Sequence, residues 1–201
     1  MTTSFILFGQ ETSALEITGF ITGVLGVWLT IRRKILCFPI GIINVLIYAY
    51  LFQSENVRLY ADALLQIIYL ILLIYGWMVW NRSKNEKEEI RTVSILLAKK
   101  LVIIGVLSTI ALGVFLSHYT NASLPYLDAI LTIISLIAQW MIAKKMIENW
   151  LLWIVVNTIY IPLYVYKGLA FTSILYLLFL ILAINGWYNW RKVKSNERLT
   201  Q

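Results

Sequence analysis

A chain of 201 residues that is 60% hydrophobic, with a mean hydropathy of +0.79, cannot hide its apolar surface in a water-soluble core. Its formal charge of +7 then needs no nucleic acid to explain it; it is the topological charge of a polytopic membrane protein. One cysteine, Cys37, excludes an intramolecular disulfide, and one histidine, His118, cannot form a metal site unaided.

In chain order, residues 1–13 are weakly apolar and are expected to form a partial helix at the membrane interface. A first span covers 14–31, with Gly19, Gly23 and Gly26 at spacings that let a neighbouring helix approach closely. Arg32, Arg33 and Lys34 stop it. A second span, 35–52, carries Phe38, Pro39, Asn44 and Tyr48. A third, 59–80, holds Asp62 and Gln66 and ends in Gly76, Trp77 and Trp80. The stretch 81–91 is charged with both signs and reads as a solvated connector in a loop over 81–100.

The fourth span, 101–117, has no large polar group in its middle, and His118 lies in the loop after it. Asn121–Ser123 matches a glycosylation sequon. The fifth span, 125–143, places Asp128, Thr132, Ser135 and Gln139 on one face and stops at Lys144 and Lys145. The sixth covers 148–166. The seventh, 169–190, holds Tyr176, Asn185, Gly186 and Trp187, and a basic tail, 191–201, follows. Each span suffices to cross about 30 Å of hydrocarbon. Seven spans put fifteen of the seventeen Lys and Arg residues on one side and leave only Arg58 and Lys167 on the other. The positive-inside rule therefore predicts an outside N-terminus and a cytoplasmic C-terminus.

The sixth span is the informative one. Trp150, Trp153, Asn157, Tyr160 and Tyr164 recur at steps of three and four and share one helix face. An amide at mid-membrane depth costs several kcal/mol unless it finds a partner. Two readings are open: the wall of an aromatic ligand cavity, or an interfacial aromatic belt plus one interhelical hydrogen bond.

Spans one to three and five to seven are copies. YGWMVWNR at 75–82 matches NGWYNWRK at 185–192, so Gly76, Trp77 and Trp80 fall on Gly186, Trp187 and Trp190. By the same alignment Asn44 falls on Asn157, Thr22 on Ser135, Arg32 on Lys145, and Trp150 and Trp153 on Cys37 and Ile40. The fold class is all-α integral membrane, with two parallel three-helix repeats joined by a linker helix. The divisions are an N-terminal segment 1–13, repeat one 14–80, a cytoplasmic loop 81–100, the linker 101–117, repeat two 118–190 and a tail 191–201.

Parallel three-helix repeats are one way to build a transporter with its site at midplane between the halves. Asn44, Gln66, Gln139 and Asn157 come from four spans at comparable depths and form the polar part of the expected substrate site. Trp150, Trp153, Tyr48, Tyr160 and Tyr176 supply its aromatic part, suited to a flat or cationic ring. Pro39 and Pro162, taken as near-equivalent, read as bending points or as static kinks. Asp62 and Asp128 read as cation attractors or as local caps. An enzyme is not expected, because no nucleophile has a base nearby in sequence. A retinal photoreceptor is not expected either, because the seventh span has no lysine. A structural subunit without a ligand is the third class. No catalytic residue, metal or cofactor is expected.

The 3+1+3 order, the paired Gly-Trp motifs and Asn149-Trp150-Leu151-Leu152-Trp153 leading to Asn157 resemble the PnuC-type vitamin transporters, from about residue 14 to residue 192. The resemblance implies a fold similar to the SWEET sugar transporters, a homotrimer, and residence in the bacterial cytoplasmic membrane. It also implies facilitated diffusion of a vitamin, trapped by a cytoplasmic kinase. Within that family a WxxW motif goes with nicotinamide riboside, and thiamine-type members carry an acid after the first Trp. Leu151 stands there, so the resemblance implies nicotinamide riboside, with thiamine or riboflavin as the alternatives.

Overall fold

The structure, a computed structural model, describes residues 4–7, 10–53, 60–82, 90–120, 124–166 and 170–199. Among the described residues seven helices follow a pair of antiparallel strands: α1 (Ala14–Ile31), α2 (Cys37–Gln53), α3 (Tyr60–Arg82), α4 (Ile95–Tyr119), α5 (Pro125–Ala143), α6 (Asn149–Tyr166) and α7 (Ala170–Leu199). Six are long and apolar enough to cross a bilayer, and α2, at 17 residues, sits at the lower limit of that length.

Local chemistry sets the helix ends. Ser13 and Glu16 form a capping box at the start of α1, and Pro125 opens α5, where its missing N–H costs nothing. The ends of α1 and α5 are the same motif. Arg33 and Lys145 turn left-handed, with φ of 55° and 54°. The next amide in each, Lys34 or Met146, donates back to Leu29 or Met141 at 2.9 Å. These are Schellman stops built without glycine.

Six helices close a ring in the order α1, α2, α3, α5, α6, α7 and back to α1, while α4 lies outside against α5. The ring has two seams between the repeats, α3 on α5 and α1 on α7. The main core is at the basic end of the ring, where Phe38, Trp80, Trp150 and Trp190 are at most 1% exposed. The outward faces stay apolar, as Ile103, Leu107 and Ile110 of α4 do, because a bilayer rather than water surrounds them.

Several expectations need correction. Ser4–Leu7 and Gln10–Ser13 pair as antiparallel strands and do not form a partial helix. A segment this short cannot repay helix nucleation. Helix α4 begins at Ile95 under a Ser94 cap, so Lys99 and Lys100 are helical. Helix α7 runs on through the basic tail, which contains neither Gly nor Pro. The connector is not wholly solvated: Ile90 is buried, and Arg91 exchanges backbone bonds with Lys145 and Ile147 at 2.9 and 3.0 Å. Residues 83–89 of the connector, the polar link 54–59 and the sequon at 121–123 lie outside the described residues. Pro39 is the third residue of α2, where it frees no interior carbonyl, whereas Pro162 is inside α6; the two are not equivalent.

Candidate functional site

The repeats superpose through their turns, and this changes the residue pairing. Arg33 and Lys145 are 112 residues apart, and so are the first residues of α2 and α6, Cys37 and Asn149. Trp150 therefore stands where Phe38 stands, not where Cys37 does. The packing agrees. Phe38 meets Trp80 edge-on at 5.0 Å and 87°, and Trp150 meets Trp190 at 5.5 Å and 88°. Gly76 faces Phe38 and Gly186 faces Trp150 so closely that a Cβ on either would overlap the ring. The repeated Gly-Trp motif is thus a packing device: the glycine admits an aromatic ring from the repeat's second helix, and the later tryptophan closes on it.

Those later tryptophans also tie the repeats together. Trp80 Nε1 donates to Ile142 O across the α3/α5 seam at 3.3 Å, and Trp190 Nε1 donates to Ile31 O across the α1/α7 seam at 3.2 Å. Lys145 Nζ lies 5.0 Å from the centre of the Trp80 ring. At the same end Glu197 pairs with Arg33 at 3.6 Å and accepts from the Ile90 amide at 3.3 Å, and Glu148 accepts from the Val93 amide at 3.1 Å. The basic end is sealed.

Of the expected site residues, Trp150 is in this seal, 1% exposed. Trp153 is half-buried and packs against both this core and a small cluster of Leu131, Val156 and Leu163. Two polar atoms on adjacent residues here, Asn149 Oδ1 and Trp150 Nε1, are buried with no hydrogen-bond partner among the described residues. Each such atom costs about 1–3 kcal/mol.

Asn44 and Asn157 lie halfway along α2 and α6. Asn44 Nδ2 donates to Gly19 O at 2.6 Å and Thr22 Oγ1 at 3.1 Å, so it binds α2 to α1 within the first repeat. Asn157, 113 residues on, is one position out of step with the helix starts, a rotation of about 100°. It is 3% exposed, and no hydrogen bond to its amide is found among the described residues. The four amides do not share one depth. Tyr69 of α3 lies beside Ser135 of α5 across their seam. Gln66 is one turn from that contact toward the far end, and Gln139 one turn toward the basic end, about 10 Å apart along the seam.

The far half holds the tyrosines. Tyr160, Tyr164 and Tyr176 form a trio with ring centres 4.7 to 5.5 Å apart, and Phe179 meets Tyr176 edge-on at 6.1 Å. Phe179 reaches across to Gly23 of the first repeat, beside Asn44, and Tyr48 packs on Gly19. Tyr164 was on the expected stripe of α6 but outside the expected lining. Phe179 was missed, although it lies one turn from Tyr176 on the same face. A separate apolar groove of about 490 Å³, lined by Leu15, Ile43, Leu46, Ile47 and Tyr50, contains none of the expected residues. Among the described residues no three His, Cys, Asp or Glu side chains gather as metal ligands.

Two parallel three-helix units closed into a ring around mid-span amides and stacked aromatic rings define a membrane transporter. The chain belongs to the nicotinamide mononucleotide transporter family, whose model matches residues 13–192. It is similar to the nicotinamide riboside transporter PnuC of Escherichia coli (strain K12), 28% identical over 222 aligned positions that cover 96% of this chain and 92% of the relative. It is also similar to the riboflavin/roseoflavin transporter RibM of Streptomyces davaonensis, 25% identical over 93% of this chain and 89% of the relative. The crystal structure of the vitamin B3 transporter PnuC matches with a TM-score of 0.73 and 25% identity, over 90% of this chain and 82% of that one. These relatives are transporters and not enzymes, as expected of this chain.

Proposed function

We propose that the protein carries nicotinamide riboside across the bacterial cytoplasmic membrane by facilitated diffusion, with phosphorylation by a cytoplasmic kinase trapping the solute. The observation that carries this reading is the set of uncommitted polar groups on α6. A carboxamide supplies the donor and the acceptor that Asn149 Oδ1 and Trp150 Nε1 lack, and Asn157 is free to meet a ribose hydroxyl. Half-buried Trp153 offers a π face to a pyridinium, Trp150 is reached only as the seal opens, and Leu151 leaves the motif without an acid. Tyr160 of the same helix, and Tyr48, Tyr176, Asn44, Gln66 and Gln139 from other elements, complete the lining.

Solute leaves through the basic end, taken as cytoplasmic on the positive-inside rule, when repeats 14–80 and 118–190 rock apart at the two seams. The working form is a homotrimer. Calorimetric titration of the solubilised protein with nicotinamide riboside, thiamine and riboflavin tests the reading. Saturable heat with nicotinamide riboside alone supports it, and heat only with thiamine or riboflavin replaces the substrate.

A further inference from the structure

Glu16 lies in the first turn of α1, at the end of the ring opposite the seal. Its local task is the capping box: Oε2 accepts from the Ser13 amide at 2.6 Å, while Ser13 Oγ accepts from the Glu16 amide at 3.2 Å. A glutamine closes the same box, so the cap needs the side chain but not its charge. Positions 16, 19 and 23 share one face of α1. On that face Gly19 touches the Tyr48 ring, where an added Cβ would lie 3.1 Å from Cε2, and Gly23 touches Asn44 and Phe179.

The carboxylate is thus on the side of α1 turned toward α2 and α7, one turn before the Gly19 that carries the Tyr48 ring. From Gly23, one turn further on, Phe179 leads to Tyr176, which packs on Tyr164 and Tyr160. The sequence extends the pattern. The far halves of the six ring helices contain Glu16, Asp62 and Asp128 and neither lysine nor arginine; the cations on that side are Arg58 and Lys167, in the links.

We propose that Glu16 is a selectivity residue for cationic solutes: its charge, one turn from the Tyr48 ring on the same face of α1, makes the far mouth of the ring electronegative. A cationic heteroaromatic ring is concentrated and oriented there before it reaches the amides at mid-span, and a neutral ring of the same shape is not. The proposal rests on the nicotinamide riboside reading above.

The test compares nicotinamide riboside, a cation, with its neutral dihydropyridine form. Both are titrated by calorimetry into the solubilised wild type, Glu16→Gln and Ser13→Ala at low and at physiological salt. Glu16→Gln keeps the box and should melt with the wild type. It should weaken the cation about fivefold at low salt, less at physiological salt, and leave the neutral form unchanged. Ser13→Ala breaks the box and keeps the charge, so the ratio of the two affinities should stay at the wild-type value. Glu16→Gln weakening both solutes equally, or neither, overturns the role of the charge while the substrate reading stands. A wild type that binds neither solute overturns the substrate reading and the proposal with it.

Discussion

Trp80 and Trp190 hold equivalent places in the two repeats, and each donates its indole N–H to a backbone carbonyl of the other repeat. The exchange pins both seams at one end of the ring. Hydrogen bonds between membrane helices contribute about 0.6 kcal/mol on average, so the pair makes a latch weak enough to open. Trp80→Phe with Trp190→Phe keeps the edge-on ring contacts and removes both bonds. Cys37, the only cysteine and 4% exposed, belongs to the same core and reports its opening. Maleimide labelling of Cys37 should run roughly five- to tenfold faster in the double variant. An unchanged rate would mean that other contacts, such as Arg33 with Glu197, govern the seal.

The glycines beneath the rings make a second, pair-specific prediction. Gly186→Ala places a methyl group 2.6 Å from atoms of the Trp150 ring, and Gly76→Ala does the same to Phe38. Overpacking of this kind costs about 1–3 kcal/mol, read as a melting temperature several degrees lower. Trp150→Leu should recover Gly186→Ala but not Gly76→Ala, and Phe38→Leu should do the reverse. Rescue without that pairing would contradict the correspondence of Phe38 with Trp150.

The two mid-span asparagines should separate stability from binding. Asn44→Ala breaks both bonds to α1, so the protein should melt earlier, by about 1 kcal/mol of stability. Asn157→Ala removes an amide with no protein partner among the described residues, so melting should hold or rise while affinity for nicotinamide riboside falls at least tenfold. Melting curves and titrations of the two variants, run side by side, decide this.

Trp150→Ala is a poor probe of the site by itself. The ring fills the core beneath Trp190, and its loss should cost about 3–5 kcal/mol. Binding would then disappear with the fold. Trp77, 41% exposed, should tolerate alanine with little change in melting. Trp153→Leu is the informative change. It keeps apolar bulk between the two clusters, so a melting temperature within a few degrees of wild type and affinity at least tenfold weaker would place that ring on the solute. Unaltered affinity would confine Trp153 to packing.

Much of the fold was legible from hydropathy. The bounds of α1 and α5 match the expected spans, because basic stops and a proline start carry the signal. The Gly-Trp copies exposed the repeat. What sequence could not supply was register. Loops of different length hide a one-residue step between Asn44 and Asn157, and with it the pairing of Trp150 with Phe38. Depth was misjudged for the same reason: Gln66 and Gln139 are on facing helices, but which turns face each other depends on where α3 and α5 cross. Tyr164 and Phe179 were visible as aromatic spacing. That they close on Tyr176 follows from the α6/α7 packing alone.

Helix α4 leans on α5 from outside the ring and lines no part of it. The ring itself therefore does not require one polypeptide. Both repeats point the same way, so two copies of a single three-helix chain, inserted alike, would close the same circle from a much shorter gene. Such a homodimer could never hold its mid-span amide to scaffolding on one side and leave it uncommitted on the other. Fusion through α4 keeps the two halves parallel while their genes become free to differ. The one-residue offset of Asn157 is a difference that two identical chains could not keep.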